Sequence, residues 1–126
     1  MYRIVTILGM WISLNGASMA HQMTPTYPEL KPSAFEQILY AELSLFNRRD
    51  DVEYYEIGVY DKDWNEVSFA SQRKILQMKY LETRKFDVYI RQADRNKVMY
   101  ICTESKLTRN NDSAALVESR ICSKVK

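Results

Sequence analysis

The stretch FDVYIRQADRNKVMYICTE, residues 86–104, decides the expected fold. Phe86, Val88 and Ile90 alternate with Asp87, Tyr89 and Arg91. Ala93, Asp94, Arg95 and Asn96 then interrupt the pattern, and Val98, Tyr100 and Cys102 resume it. A period of two on either side of a polar break is the signature of half-buried strands around a turn, so the stretch reads as an antiparallel hairpin. Its second arm carries Cys102, and the only other cysteine is Cys122. A pair of cysteines in an exported chain implies a disulfide, and closing a loop of this length contributes roughly 3 kcal/mol in the chain-entropy model.

Export is read from the beginning of the chain. Met1, Tyr2 and Arg3 give a basic start, an apolar run follows from Ile4 to Leu14, and Ser18 and Ala20 supply small residues three places and one place before a cut. Residues 1–20 are therefore expected to be a signal peptide cleaved between Ala20 and His21, with a periplasmic or secreted product. The apolar run falls short of the roughly 20 residues a membrane-spanning helix needs, so no stable membrane insertion is expected after cleavage.

Working outward, Pro25, Pro28 and Pro32 mark residues 21–32 as an extended arm. Ser33 with Glu36 has the spacing of a capping box, and Phe35, Ile38, Leu39, Leu43 and Phe46 form a stripe at helical intervals, predicting a helix from residue 33 to about 47–51. Residues 52–61 read as a strand with Tyr55, Ile57 and Val59 on one face and Tyr54, Glu56, Gly58 and Tyr60 on the other. Gly58 marks a weak point, a bulge or a close approach of backbone. Asp63 with Glu66 suggests a second cap, and Val67, Ala70, Lys74, Met78 and Leu81 favour helix over residues 63–84, although Leu76, Met78 and Tyr80 also alternate as a strand would. Residues 105–112 read as a polar loop and 113–120 as a short helix returning Cys122 to Cys102. The expected fold class is α+β: residues 33–126 form a small antiparallel sheet of three to five strands packed against an N-terminal helix, with one or two further helices and a C-terminal disulfide.

Chemistry is sparse. With Arg3 in the signal, the 18 basic residues fall to 17 against 16 acidic ones, and their signs alternate along the chain, so a nucleic-acid partner is not expected. His21 is the only histidine. It sits near Met23, but a copper site or a nucleophilic triad needs a further imidazole, so His21 reads as a cleavage scar on the arm. Asp61, Asp63 and Asn65 copy the start of a calcium loop, yet Glu66 stands where glycine is required and Gln72 where a bidentate glutamate is required. Asp61 and Asp63 are expected as turn and cap residues, with no metal and no cofactor. The numerous carboxylates read as a solvated face, and no enzyme activity is expected. Asn111, Asp112 and Ser113 form a glycosylation sequon that matters only in a eukaryotic secretory pathway.

The compositional excess is tyrosine, nine in all. Tyr54, Glu56, Tyr60, Asp87, Tyr89 and Arg91 share the outward parity of their strands, and a sheet face mixing aromatic rings with both charges suits a protein partner. The expectation is an exported protein-binding protein whose partner is another envelope or secreted protein: an inhibitor, a toxin-immunity protein or an accessory subunit of a secretion or surface-assembly system. The alternative is a periplasmic small-ligand or carbohydrate-binding module, for which the sheet would have to curl round an aromatic pocket.

Overall fold

The computed structural model describes residues 21–106 and 118–126. The expected signal segment, the sequon and most of the loop and helix expected over residues 105–120 lie outside the described residues.

The fold is two antiparallel sheets packed face to face. The first holds β1 (Gln22–Thr24), β2 (Lys31–Pro32), β3 (Ile38–Phe46) and β6 (Thr83–Arg91), with β3 at its centre. The second runs β5 (Ile75–Gln77), β4 (Tyr54–Tyr60), β7 (Tyr100–Lys106), β8 (Arg120–Lys124). Leu39, Leu43, Leu45, Phe86, Val88 and Ile90 from the first sheet meet Tyr55, Ile57, Val59 and Ile101 from the second in one buried core. Each such aliphatic side chain taken fully out of water contributes about 1.5–3 kcal/mol before entropy is subtracted.

The expected α+β class is thus overturned, and each helix fails for a local reason. Residues 33–47 form a turn and then β3. The Ser33 hydroxyl donates to the Ile38 carbonyl at 2.7 Å and accepts from the Phe35 amide at 3.1 Å, so it closes a turn instead of capping a helix. Gln37 follows with φ of 59°, a left-handed conformation that a helix cannot propagate through. From there Leu39, Ala41, Leu43 and Leu45 are all buried in strict alternation. Leu39 and Leu43 satisfy both periods, because residues four apart share a face in a helix and in a strand. Pairing with β1 and β2 on one side and β6 on the other decided between them.

Residues 63–84 likewise form no helix. Asp61 Oδ1 accepts from the amides of Asp63 and Asn65, both at 2.9 Å, making a turn that returns the chain to β4 through the Tyr60–Glu66 bridge. Ala70 then bridges Tyr89 of the first sheet before β5 joins β4 in the second. The weaker reading of residues 76–80 as extended holds for Leu76 and Met78, which are buried, while Tyr80 is exposed. At the C-terminus, Arg120, the last residue of the helix expected over 113–120, instead opens strand β8 (Arg120–Lys124).

The stretch that opened the sequence reading is strand on both sides of its break, but it is not a hairpin. β6 pairs with β3, whereas β7 pairs with β4 and β8. The 3₁₀ turn Gln92–Asp94 carries the chain across the sandwich. Asp94, buried at 6 % exposure, anchors this crossing through Arg91 at 2.8 Å and Lys97 at 3.8 Å.

Candidate interaction surface

The sandwich offers sheet edges and two outward faces to a partner. The six residues singled out in the sequence divide between them. Tyr54, Glu56 and Tyr60 lie on the outward face of β4, and Asp87, Tyr89 and Arg91 on the outward face of β6. These faces belong to opposite sheets of the sandwich, so the structure brings together each triplet but not the six.

Around β4 the outward face of the second sheet is ordered by its backbone register. Gly58 stands opposite Cys102, and Cys102 opposite Cys122. The expected disulfide is formed there, joining neighbouring strands with Cα atoms 4.0 Å apart. The missing side chain at Gly58 lets the Tyr60 ring fold back over the strand: a Cβ at position 58 would stand 2.6 Å from the Tyr60 hydroxyl. Arg120 lies over the same ring at 5.3 Å and reaches Glu104 at 3.3 Å. Further along, Glu56 pairs with Lys106 at 2.8 Å and holds its ammonium above the usual lysine range, chiefly through that hydrogen bond.

Tyr100, Trp64 and Arg120 complete this face, and none of them was read from sequence as part of it. The Asp61 turn holds Trp64 at φ of 65°, and its indole stacks on Tyr100 with centroids 4.3 Å apart and planes 3° from parallel. Backbone and side-chain hydrogen bonds from residues 63 and 65 keep the Asp61 carboxyl below its usual range. Alternation in step with Val98 and Cys102 gives Tyr100 an inward parity in the sequence. Instead Ile101, Thr103 and Ser105 point into the sandwich and Tyr100, Cys102 and Glu104 point out. The polar Thr103 and Ser105 disguised the inward face.

Thr103 faces His21 there, and the Ser105 hydroxyl accepts from the Ser119 amide at 2.8 Å. The imidazole is 2 % exposed and packs 4.5 Å from the Tyr55 ring. Its Nε2–H points at Thr103, 2.9 Å from Oγ1 and 3.2 Å from the carbonyl, while Nδ1 accepts from the Ser119 hydroxyl at 3.2 Å. Burial lowers its pKa to about 4, so the ring is neutral. His21 is therefore an interior residue, not an exposed scar on an arm.

β8 is an edge strand. The pairing of the Ser105 amide with the Ser119 carbonyl at 2.9 Å and of the Val125 amide with the Met99 carbonyl at 2.8 Å fixes the alternation. Odd residues of β8 bond to β7, and the backbone groups of Arg120, Cys122 and Lys124 face away from it. Lys124 donates to Thr26 at 3.1 Å, leaving those of Arg120 and Cys122 without a partner among the described residues.

On the other sheet, Tyr89 and Arg91 line an apolar hollow of about 360 Å³ with Phe35, Ile38, Phe69 and Ala70. Phe35 is 67 % exposed at its rim. Among the described residues no group of three or more His, Cys, Asp or Glu is placed to hold a metal ion.

No family model matches the chain, and no curated protein matches it. Among solved structures it is similar to the crystal structure of the E. coli chaperone DraB, at 13% sequence identity and a TM-score of 0.61. The similarity covers 84% of this chain and 53% of that one, so this chain spans about half the length of that structure. At this identity the likeness establishes the fold: a two-sheet β-sandwich also found in a chaperone.

Proposed function

We propose that this chain is an exported accessory protein of the cell envelope that acts without catalysis, by holding a segment of another protein against the open edge of β8. The observation that carries this reading is the state of that edge. Arg120 and Cys122 present unpaired backbone groups, and the disulfide fastens the strand to β7 at the same residue whose backbone faces outward. An added strand draws affinity from main-chain hydrogen bonds, and a template that does not fray loses little entropy on binding. Beyond the edge, Arg120, Tyr60, Trp64 and Tyr100 offer side chains of the kinds that dominate protein interfaces. A disulfide fits an oxidising compartment, and no helix among the described residues is long and apolar enough to cross a membrane. The fold shared with a chaperone supports a protein-binding role in the same direction.

The test places a photo-activated cross-linker at Arg120 in the full chain, expressed with export intact, and compares it with one at Lys106 on the neighbouring strand. The expected result is one stoichiometric adduct from position 120, which disappears in a chain carrying Cys122→Ser and Cys102→Ser. A Tyr60→Ala, Trp64→Ala chain is expected to weaken it several-fold. Equal labelling from both positions, or an adduct indifferent to the disulfide, counts against the reading.

A further inference from the structure

The hollow on the outward face of the first sheet is built by three segments distant in sequence. Tyr89 and Arg91 stand two residues apart at the end of β6 and share its outward side. Ala70 and its neighbour Phe69 supply a second part of the lining, fixed where Ala70 and Tyr89 exchange backbone hydrogen bonds at 2.9 and 2.8 Å. The turn before β3 supplies the third. Its Ser33 hydroxyl donates to the Ile38 carbonyl, Gln37 leaves it at φ of 59°, and the Gln37 carbonyl accepts from the Gln92 amide at 2.8 Å, which ties the turn to the end of β6. The lining is thus hydrogen-bonded into place before any ligand arrives, so little ordering remains to oppose binding.

The volume of about 360 Å³ lies at the small end of the roughly 300–1,000 Å³ that small-molecule sites enclose, which suits one alkyl chain of medium length better than a two-chain lipid. Phe35, Ile38, Phe69, Ala70 and Tyr89 make the lining apolar, and no carboxylate contributes to it. Its one charged residue is Arg91.

Arg91 is a positioned cation. Its Nε and Nη2 both reach Oδ2 of the buried Asp94, at 2.9 and 2.8 Å, which sets the guanidinium plane and leaves Nη1 without a partner among the described residues. Lys97 lies 3.8 Å from the other oxygen of the same carboxylate, so one negative charge serves two positive ones and an excess of positive charge remains. Lys74 adds to that field: its ammonium lies 5.1 Å from the centre of the Phe69 ring and has no ion pair among the described residues. An apolar recess beside an oriented guanidinium complements a ligand with an apolar body and an anionic end, because a carboxylate accepts a charge-assisted hydrogen bond from such a group.

We infer that this hollow binds a single-chain anionic amphiphile, an alkyl chain of medium length ending in a carboxylate, with the chain against Phe35, Phe69 and Tyr89 and the carboxylate at Arg91. The site lies on the sheet opposite to β8, so it stands or falls independently of the partner proposed for that edge.

Titration calorimetry of the oxidised chain with decanoate, kept below the concentration at which decanoate self-associates, tests it, with circular dichroism verifying the fold of each variant. One saturable site per chain is expected. Arg91→Gln weakens it by about tenfold, the loss of one charge-assisted hydrogen bond. Decanol has the same chain and no charge, so it binds the unaltered protein as weakly as decanoate binds that variant, and it reads the same contribution where Arg91→Gln does not fold. Phe35→Ser removes a ring that is 67 % exposed and outside the core, and it weakens both ligands several-fold. Equal binding of decanoate and decanol to the unaltered protein overturns the inference, since the hollow would then receive apolar groups whatever their charge, as it would a side chain of a protein partner. So does an absence of binding, or uptake of several molecules per chain without saturation.

Discussion

His21 and Asn47 show how far a single polar residue can direct this sandwich. Asn47 is fully buried, yet all its side-chain groups are used: Nδ2 donates to the carbonyls of Val52 and Lys79, and Oδ1 accepts from the Arg49 amide and from the Tyr55 hydroxyl at 2.6 Å. Burial raises the Tyr55 pKa to about 12, so its hydroxyl remains a donor at any ordinary pH. His21 carries a testable consequence. Its folded pKa of about 4 lies below the ordinary imidazole value of 6.5, so between these values the unfolded chain binds a proton that the folded chain refuses. Its contribution is complete above pH 6.5, falls as the pH drops toward 4, and declines no further below that. Thermal melts between pH 7 and 4 are expected to show a falling Tm, and His21→Gln to flatten that slope. An unchanged slope in the variant would show that the imidazole is not buried neutral. Neither residue announced this role in the sequence. A lone histidine and an asparagine after an apolar stripe look like surface residues until Thr103, Ser119 and Tyr55 are seen to surround them.

At the scale of elements, β7 and β8 depend on the cystine between them. The loop between Cys102 and Cys122 is closed by the bond, and replacing both cysteines with serine is expected to cost about 2–4 kcal/mol, read from urea denaturation. Hydrogen exchange supplies the finer check. In the oxidised chain the Ile121 and Ser123 amides, which face β7, should exchange slowly, while those of Arg120 and Cys122 exchange fast because they face the open edge. Loss of the disulfide should erase the difference by letting β8 fray. Uniform protection along β8 in the intact protein would mean that its edge is covered. The cysteine pair and β4 were both legible in advance. Two cysteines leave one pairing, and Tyr55, Ile57 and Val59 alternate with no competing period. β3 was not, since Ser33, Glu36 and the Leu39–Leu43 spacing serve a helix as readily as a turn and a strand.

For the whole molecule, the core has no division between the sheets. Residues 86–104 run from one sheet into the other, and Ala70 and β5 tie a second crossing to both. Unfolding is therefore expected to be a single transition. Trp64 fluorescence, which reports the second sheet, should coincide in urea with far-UV circular dichroism, which reports both. A fluorescence change that precedes loss of strand signal would divide the sandwich into separately stable layers. The sequence by itself determined which residues of β4 and β6 face inward, which cysteines join, and that the outward positions mix tyrosine with charge. These follow from alternation and from counting, which act within one segment. Only the tertiary structure decided that residues 38–46 are strand, that β6 and β7 belong to different sheets, and that the two tyrosine-bearing triplets face opposite ways. A strand satisfies half of its backbone groups through a neighbour distant in sequence, and nothing inside the segment says which neighbour that is.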